Sequence, residues 1–266
     1  ALGTGTVTAA GGTLSGTTAL NLANAFTLTD SLTIGGSNAV RLGGAVSGGG
    51  GFIKTGTGTL TLGGTNTYTG GTALNAGTVV LENAAALGTG AVIAGGGALD
   101  TTAPLSLANN VVLNSTLGVG ASGNALSLTG VLSGTGGITK TGTGTLALTN
   151  ANTYTGVTTL AGGTLQVGNA AALGGSTLNV TAASTLSSSI ALALGNAVSL
   201  AGPLTVSGAQ ALTLGGAIGG TGSLLKSGTG DLTLAGTNSY TGGTTLSSGR
   251  LPVSYTHLRA HETVLD

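Results

Sequence analysis

The sequence predicts an all-β protein built as a solenoid, a parallel β-helix of about twelve coils. Three observations lead to this prediction. One segment of 86 residues recurs three times, apolar and polar residues alternate within short stretches, and glycine supplies 54 of the 266 residues. Self-similarity at a fixed long period is typical of solenoids, propellers and arrays. Alternation with a period of two indicates strands, and glycine permits the tight turns between them.

The repeat is clearest in a segment rich in glycine and threonine. It reads KTGTGTLTLGGTNTYTGG from Lys54, KTGTGTLALTNANTYTGV from Lys140 and KSGTGDLTLAGTNSYTGG from Lys226. The copies are 86 residues apart, and similar residues before and after them keep the same period. We therefore expect a single repeat domain over 1–251, with units at about 1–85, 86–171 and 172–251.

Each copy contains a short stretch, such as GTLTLGG, in which leucine alternates with a polar residue. Successive side chains of a strand point to opposite faces, so these leucines should share one interior face. Threonine suits the outward positions because a β-branched side chain fits a pleated surface. We expect inward leucines that stack along the solenoid axis at Leu60, Leu62, Leu146, Leu148, Leu232 and Leu234.

The length of the repeat sets the expected number of coils. A solenoid coil of ~20–25 residues fits about four times into 86 residues, at about 21.5 residues per coil. At ~4.8 Å per coil, twelve coils give a rod roughly 55–60 Å long. A propeller of six blades, each of about 45 residues, also fits the chain length. The absence of an equally strong half-period favours the solenoid.

Composition excludes several classes of protein. Charged residues make up 5% and the formal net charge is zero, so we expect no nucleic-acid partner. The chain has no cysteine, and therefore no disulfide framework. No run of about 18 apolar residues indicates a membrane-spanning helix. Aromatic residues, at 2%, are too few for the girdles of a lipid-facing barrel. We expect no transmembrane segment in this sequence.

The segment KTGTGTLTLGGTNTYTGGTALNAGTVVL, at 54–81, resembles the passenger-associated transport repeat of bacterial autotransporters. It has the K-x-G-x-G-x-L-x-L start, the N-x-Y-x-G centre and the G-T end of that repeat. The resemblance recurs at 140–167 and 226–251, and the repeats cover about a third of the chain. Three copies in phase make the resemblance specific to the family, though not to any member.

The resemblance implies a right-handed parallel β-helix in the passenger of a secreted or surface-displayed autotransporter. It implies an outer-membrane translocation β-barrel in cis, which we expect outside this fragment, as we do a signal peptide. It also implies that the repeats assist secretion by folding as they emerge from the cell. Each solenoid coil needs only its neighbour, so folding can propagate along the rod. Few charges and few bulky aromatic residues would also ease threading.

The three lysines are the most regular charges of the sequence. Because about four coils should separate Lys54, Lys140 and Lys226, they are ~19 Å apart, which exceeds the Debye length of ~8 Å at physiological salt. They should therefore not act as one anion-binding patch. We expect solvated turn positions that discourage sideways pairing of strands.

The aromatic and amide positions of the repeat have structural interpretations. A repeated lone tyrosine is most often a packing element whose hydroxyl reaches a backbone group or water, and we expect this of Tyr68, Tyr154 and Tyr240. An asparagine two residues earlier suits a turn, since asparagine tolerates the left-handed region. We expect such turns at Asn66, Asn152 and Asn238.

The acidic residues do not predict an active site. Asp30, Glu82, Asp100 and Asp231 occupy different places in their units. Glycan-cleaving β-helices need clustered carboxylates, or a basic group beside one. Glu82 and Asp100 are separated by nearly the length of one coil, so they could be neighbours. We expect no catalytic, cofactor-binding or metal site.

The last residues break the pattern. Where the third unit should continue the repeat, the chain reads GRLPVSYTHLRAHETVLD, and Pro252 would remove a ladder donor. His257 and His261, at i and i+4, would be half of a metal site without a third ligand. VSYTHLRAHETVLD resembles translated adapter or vector read-through at the ends of metagenomic gene fragments. We expect 252–266 to be a non-native tail.

The sequence therefore predicts a structural stalk, a passenger fragment of an exported autotransporter that lacks enzymatic activity. One alternative is an adhesin or biofilm matrix repeat protein secreted by another route, with a surface ligand that the sequence does not identify. The alternative of a different class is a β-helical glycan hydrolase or lyase. A groove with two or more close carboxylates would favour the enzyme, whereas an uninterrupted Thr/Ser/Asn surface favours the stalk.

Overall fold

Short strands succeed one another throughout residues 2–252, the part of the chain that the computed structural model describes. Most are three or four residues long, because a glycine, serine or asparagine turn follows each apolar-polar-apolar triplet. All strand pairs are parallel. The prediction of an all-β parallel solenoid of about twelve coils is confirmed; its right-handedness stays a prediction.

The strands of the first part of the chain are β1 (Val7–Ala10), β2 (Thr13–Leu14), β3 (Leu20–Leu22), β4 (Phe26–Asp30), β5 (Leu32–Ile34), β6 (Val40–Leu42), β7 (Val46–Ser47), β8 (Phe52–Lys54), β9 (Thr59–Leu62), β10 (Thr72–Leu74) and β11 (Thr78–Leu81). The middle part contains β12 (Val92–Ala94), β13 (Ala98–Thr101), β14 (Leu105–Leu107), β15 (Val111–Leu113), β16 (Leu117–Val119), β17 (Ala125–Leu128), β18 (Leu132–Gly134), β19 (Ile138–Lys140), β20 (Thr145–Leu148), β21 (Thr158–Leu160) and β22 (Thr164–Val167). The last part contains β23 (Leu178–Val180), β24 (Ser184–Ser188), β25 (Leu192–Leu194), β26 (Val198–Leu200), β27 (Leu204–Ser207), β28 (Leu212–Leu214), β29 (Ile218–Gly220), β30 (Leu224–Lys226), β31 (Leu232–Leu234) and β32 (Thr244–Leu246).

The strands stack into three faces, which the chain visits in turn. Face 1 consists of a three-stranded sheet, β1-β4-β7, and an eight-stranded sheet that runs from β14 to β32. Face 2 consists of a seven-stranded sheet from β2 to β18 and a three-stranded sheet, β25-β28-β31. Face 3 is one sheet of eleven strands from β3 to β29.

Each coil returns the chain to the same face at a nearly constant interval. Along face 2, Phe52 pairs with Thr72, Thr72 with Val92, Val92 with Val111 and Val111 with Leu132. These coils lie at the short end of the expected ~20–25 residues and are slightly shorter than four equal divisions of the repeat would give. The 86-residue unit spans four coils and then continues to the next face. Successive units are consequently rotated by one face, about a third of a turn.

The repeat interrupts each face in turn. Between β7 and β14, face 1 has no strand in two coils, which contain 63–71 and 82–91. Face 2 is interrupted in the same way at 149–157 and 168–177, and face 3 at 235–243. Each interruption is the N-x-Y-x-G centre of one repeat, followed one coil later, in the first two repeats, by the segment AALG.

The interior is a continuous apolar column. On face 3, for example, Val40, Leu60, Val79 and Leu99 stack in register and are all buried. Burial of each such side chain contributes ~1.5–3 kcal/mol. Five of the six expected leucines are fully buried, and Leu234 is partly buried. The expectation that they stack on one another across units is wrong, because Leu60, Leu146 and Leu232 lie on faces 3, 1 and 2.

The described part of the chain ends at residue 252. Residues 253–266, and with them His257, His261 and almost all of the expected tail at 252–266, lie outside the described residues. Within 2–252 no helix is long and apolar enough to cross a membrane.

Candidate functional site

The lysine that opens each repeat lies inside the solenoid. Lys54, Lys140 and Lys226 are 1%, 0% and 2% exposed, so the expectation of solvated turn positions is wrong. The reason is strand alternation: each lysine is the third residue of a strand whose first residue, Phe52, Ile138 or Leu224, is buried on the same side.

Backbone carbonyl groups surround each ammonium group. Lys226 Nζ donates hydrogen bonds to the carbonyl oxygens of Ser227 (3.1 Å) and Gly228 (2.7 Å) in the following turn, and of Ser248 (3.3 Å) in the next coil. Lys140 Nζ donates in the same way to Thr141, Gly142 and Gly162. Lys54 Nζ donates to Gly56 and Ala76. Each lysine therefore joins two successive coils of the solenoid.

A glycine directly follows the residue of the next coil whose carbonyl accepts from the lysine, and its backbone packs against the ammonium group. Gly77, Gly163 and Gly249 have φ of +69°, +64° and +72°, the left-handed region that disfavours other residues. A Cβ on Gly163 would lie 2.5 Å from the carbonyl oxygens of Gly142 and Gly144 and 2.9 Å from Lys140 Nζ. The carbonyls and the ammonium group thus leave no room for a side chain.

Burial changes the proton affinity of these groups. Loss of hydration lowers the pKa of all three lysines, and that of Lys140 to about 8, although the nearby Asp100 carboxylate opposes the shift. Burial would raise the pKa of Asp100, but hydrogen bonds from Ser122 and Thr101 and the charge of Lys140 outweigh it, so this pKa is lowered.

The repeat asparagines bridge coils. Asn66 Oδ1 accepts a hydrogen bond from the backbone N–H of Val46 (2.8 Å), and its Nδ2 donates to the carbonyl of Ala86 (2.6 Å). Asn152 makes the same two contacts, with Leu132 and Ala172. The expected left-handed turns are wrong, since the described non-glycine residues have positive φ only at Ala121. On a face without a strand, the side-chain amide adds to the few backbone hydrogen bonds that still join the coils.

The repeat tyrosines fill the interior beside these asparagines. Tyr68 and Tyr154 are fully buried, and their hydroxyls hydrogen-bond Thr72 Oγ1 and Thr158 Oγ1, each at 2.7 Å. Phe52 packs edge-on against Tyr68, with ring centroids 5.1 Å apart. Each tyrosine hydroxyl thus pairs with a threonine side chain, and not with the backbone group or water expected from the sequence. Burial raises the pKa of both tyrosines.

The next coil covers each tyrosine with the segment NAAALG, at 83–88 and 169–174. Its Ala-Leu pairs, Ala86–Leu87 and Ala172–Leu173, are fully buried. A Cβ on Gly88 would lie 3.0 Å from the ring of Tyr68. This segment, which we name the cover segment, is therefore part of the site.

Several asparagines outside the repeat segments donate hydrogen bonds to carbonyls of the preceding coil, and three of them recur at nearly the period of the repeat. Asn109 Nδ2 donates to the carbonyls of Gly88 (3.1 Å) and Gly90 (2.8 Å), and Asn196 Nδ2 to those of Gly174 and Ser176. Asn24 binds Gly3 and Gly5 in the same manner. Their role is absent from the sequence predictions. Their regular spacing, which is close to the period of the repeat, is the signal that could have revealed it.

The third copy is only partly enclosed in the described residues. Asn238 Oδ1 accepts from the N–H of Ile218 (3.0 Å), and the Tyr240 hydroxyl contacts Thr244. Asn238 is exposed and Tyr240 only partly buried. The residues one coil beyond Asn238 lie outside the described part.

The acidic residues pair with different partners. Glu82 forms a two-pronged ion pair with Arg41, with distances of 2.7 and 3.0 Å. Asp100 accepts hydrogen bonds from the hydroxyl and N–H of Ser122. Within residues 2–252 no three acidic or histidine side chains cluster as metal ligands. Four surface cavities of 330–430 Å³ are lined by glycine, alanine, leucine, serine, threonine and asparagine.

The repeat matches one family of known proteins. The family described as passenger-associated-transport-repeat matches residues 52–81, 138–167 and 224–253, about a third of the chain. Each match begins at the strand that contains the buried lysine and ends just before the position of the cover segment. The chain thus matches the passenger-associated transport repeat three times. No curated protein and no solved structure matches the chain.

Proposed function

We propose that this chain is part of the passenger of a bacterial autotransporter. It is a structural stalk that reaches the cell surface or the medium through a translocation barrel in cis, and its repeats assist secretion by promoting folding outside the cell. The observation that carries this proposal is the bridge built by each repeat. Asn66 joins Val46 in the preceding coil to Ala86 in the following one, and Asn152 repeats the arrangement.

The bridge suits a chain that folds segment by segment. A coil of three short strands has too few internal contacts to be stable alone, so it must form on a neighbour that is already folded. Each repeat offers the next coil unpaired amide and carbonyl groups at fixed positions. Docking satisfies these groups and buries the tyrosine beneath the cover segment. Folding on the outside then opposes return of the chain through the translocation pore.

A display assay tests this proposal. Residues 1–266 are placed between an export leader and the translocation barrel of an autotransporter, and surface exposure is measured by added protease on intact cells. We expect Asn66→Ala/Asn152→Ala to reduce the folded, surface-exposed fraction severalfold. The matched control is Asn179→Ala, at the outward-facing centre of β23. Equal display of the double variant and the control would contradict the proposal.

A further inference from the structure

The apolar core of this solenoid does not distinguish one coil from another. Almost every coil presents inward leucine, valine, isoleucine or alanine from short strands, at nearly constant intervals along the chain. A coil that docked on the wrong predecessor would still bury apolar side chains. A slip of one residue would expose the apolar side chains, but a shift by a whole coil keeps them buried, so the apolar pattern does not specify which coil stacks next.

The repeat supplies contacts that are not interchangeable. The Lys140 ammonium group needs the carbonyl of Gly162 in the following coil, and Asn152 needs Leu132 and Ala172 on either side. A misplaced coil would leave the Asn152 amide without its partners and would remove one of the three hydrogen bonds of the Lys140 ammonium group, which costs more than exchange of one apolar contact for another. A single buried polar residue fixes register in coiled coils by the same physics.

We infer that the buried lysine of each repeat, with the asparagine and tyrosine that follow it and, in the first two repeats, the cover segment, forms a register lock that makes successive coils stack in sequence order. Because successive units are rotated by one face, the three repeats place these contacts on different faces of the solenoid. Lys54, Lys140 and Lys226 lie on faces 2, 3 and 1, and the strandless segments of their repeats lie on faces 1, 2 and 3. Each face therefore contains one of the three lysines and the strandless segment of a different repeat. The lock acts during folding and does not depend on the route of secretion.

Introduced cysteines can report the register, because the chain has none of its own. Thr159 and Asn179 are paired on adjacent strands of face 3, and Asn179 is paired with Ser199 on the next strand. Thr159→Cys with Asn179→Cys is within reach of a disulfide. Thr159→Cys with Ser199→Cys is two strand spacings apart, beyond that reach, unless the coil between them has been skipped.

The test compares both cysteine pairs in the full chain after refolding from denaturant and mild oxidation. In the otherwise unaltered chain, only the first pair should crosslink. With Lys140→Met and Asn152→Leu, the second pair should crosslink about tenfold more, because the penalty for a skipped coil is lost. Leu186→Ala is the control: it opens a cavity in the same region and removes no polar contact.

Three results would overturn the inference. The second pair could crosslink in the unaltered chain, it could fail to rise in the variant, or it could rise equally in Leu186→Ala, which would make lost stability the cause. If the double variant does not refold, the single variants Lys140→Met and Asn152→Leu decide by the same comparison. Failure of both to refold would show that these residues are required for folding itself, and not for the choice of register.

Discussion

The side-chain amide of Asn152 donates a hydrogen bond to the carbonyl oxygen of Ala172 in the next coil, with an N–O distance of 2.7 Å. Both residues lie on face 2 where that face has no strand. Backbone groups also join the coils here, since the N–H of Asn152 donates to Ala171 and that of Thr153 to Leu132. The Asn152 side chain adds further hydrogen bonds between coils at a buried position.

Loss of this amide should destabilise the protein measurably. We expect Asn152→Ala to lower the free energy of unfolding by ~1–3 kcal/mol, because the N–H of Leu132 and the carbonyl of Ala172 lose a buried partner. Asn238→Ala, at the exposed copy, should cost less. Denaturant unfolding measures both, and equal losses would show that burial of the bridge has no energetic consequence.

The lysine arrangement predicts an unusual dependence of stability on pH. The pKa of Lys140 is about 8 in the folded chain and 10.5 in the unfolded chain, so between these values the unfolded chain binds more protons. Stability should therefore rise with pH from about 8 to about 10.5. The raised pKa values of Tyr68 and Tyr154 act oppositely: their contribution is complete below about 10 and is lost above it.

A thermal midpoint that is highest between pH 9 and 10.5 is the expected outcome, within a rough window set by these pKa values. Lys140→Met should flatten the rise above pH 8, since it removes the most strongly shifted lysine. A midpoint that falls steadily from pH 8 to pH 10 in the unaltered chain would contradict the buried position of the lysines.

Glycine is required where it closes the lysine arrangement. We expect Gly163→Ala to cost at least ~2 kcal/mol, because φ is +64° and the added Cβ would meet two carbonyl oxygens. The control is Gly49→Ala, where an added Cβ meets nothing within 4 Å. Similar midpoints of urea unfolding for the two variants would rule out the close approach.

The buried tyrosines should differ from the partly buried one. Removal of a buried aromatic side chain costs ~3–5 kcal/mol, so Tyr154→Ala should be among the most damaging single changes. Tyr240→Ala should cost much less. Calorimetry on the two variants tests this order, and equal losses would mean that the third copy is as enclosed as the second.

The fold could be predicted from the sequence because its signals are local and repeated. Alternation of leucine with threonine around Leu60 and Leu146 indicates which side chains face inward. The length of the coil could not be obtained from the repeat alone. The usual coil length predicts four coils in 86 residues, but nothing in the period reveals the one further face, since that offset depends on where the turns lie.

The site was harder to predict, because the usual preference of lysine for solvent is reversed here. The signal was present: Lys54 follows Phe52 at an interval of two, which places both on the same side of a strand. The sequence does not show that the carbonyl groups of Gly56 and Ala76 accept hydrogen bonds from the buried ammonium group and so offset its loss of hydration. Gly56 lies in the turn after the lysine, but Ala76 comes from the neighbouring coil, so both partners are in place only once the solenoid is folded.

Amine labelling tests the central claim most directly, because the chain has only three lysines. The folded protein is treated with an acylating reagent at pH 8, and each site is followed by mass spectrometry with the N-terminal amine as an internal reference. We predict rapid labelling of that amine, protection of Lys54, Lys140 and Lys226, and full labelling in denaturant. A lowered pKa would make an accessible lysine react faster, so protection must come from burial. Labelling of Lys140 in the folded chain at the rate of the N-terminal amine would contradict the account.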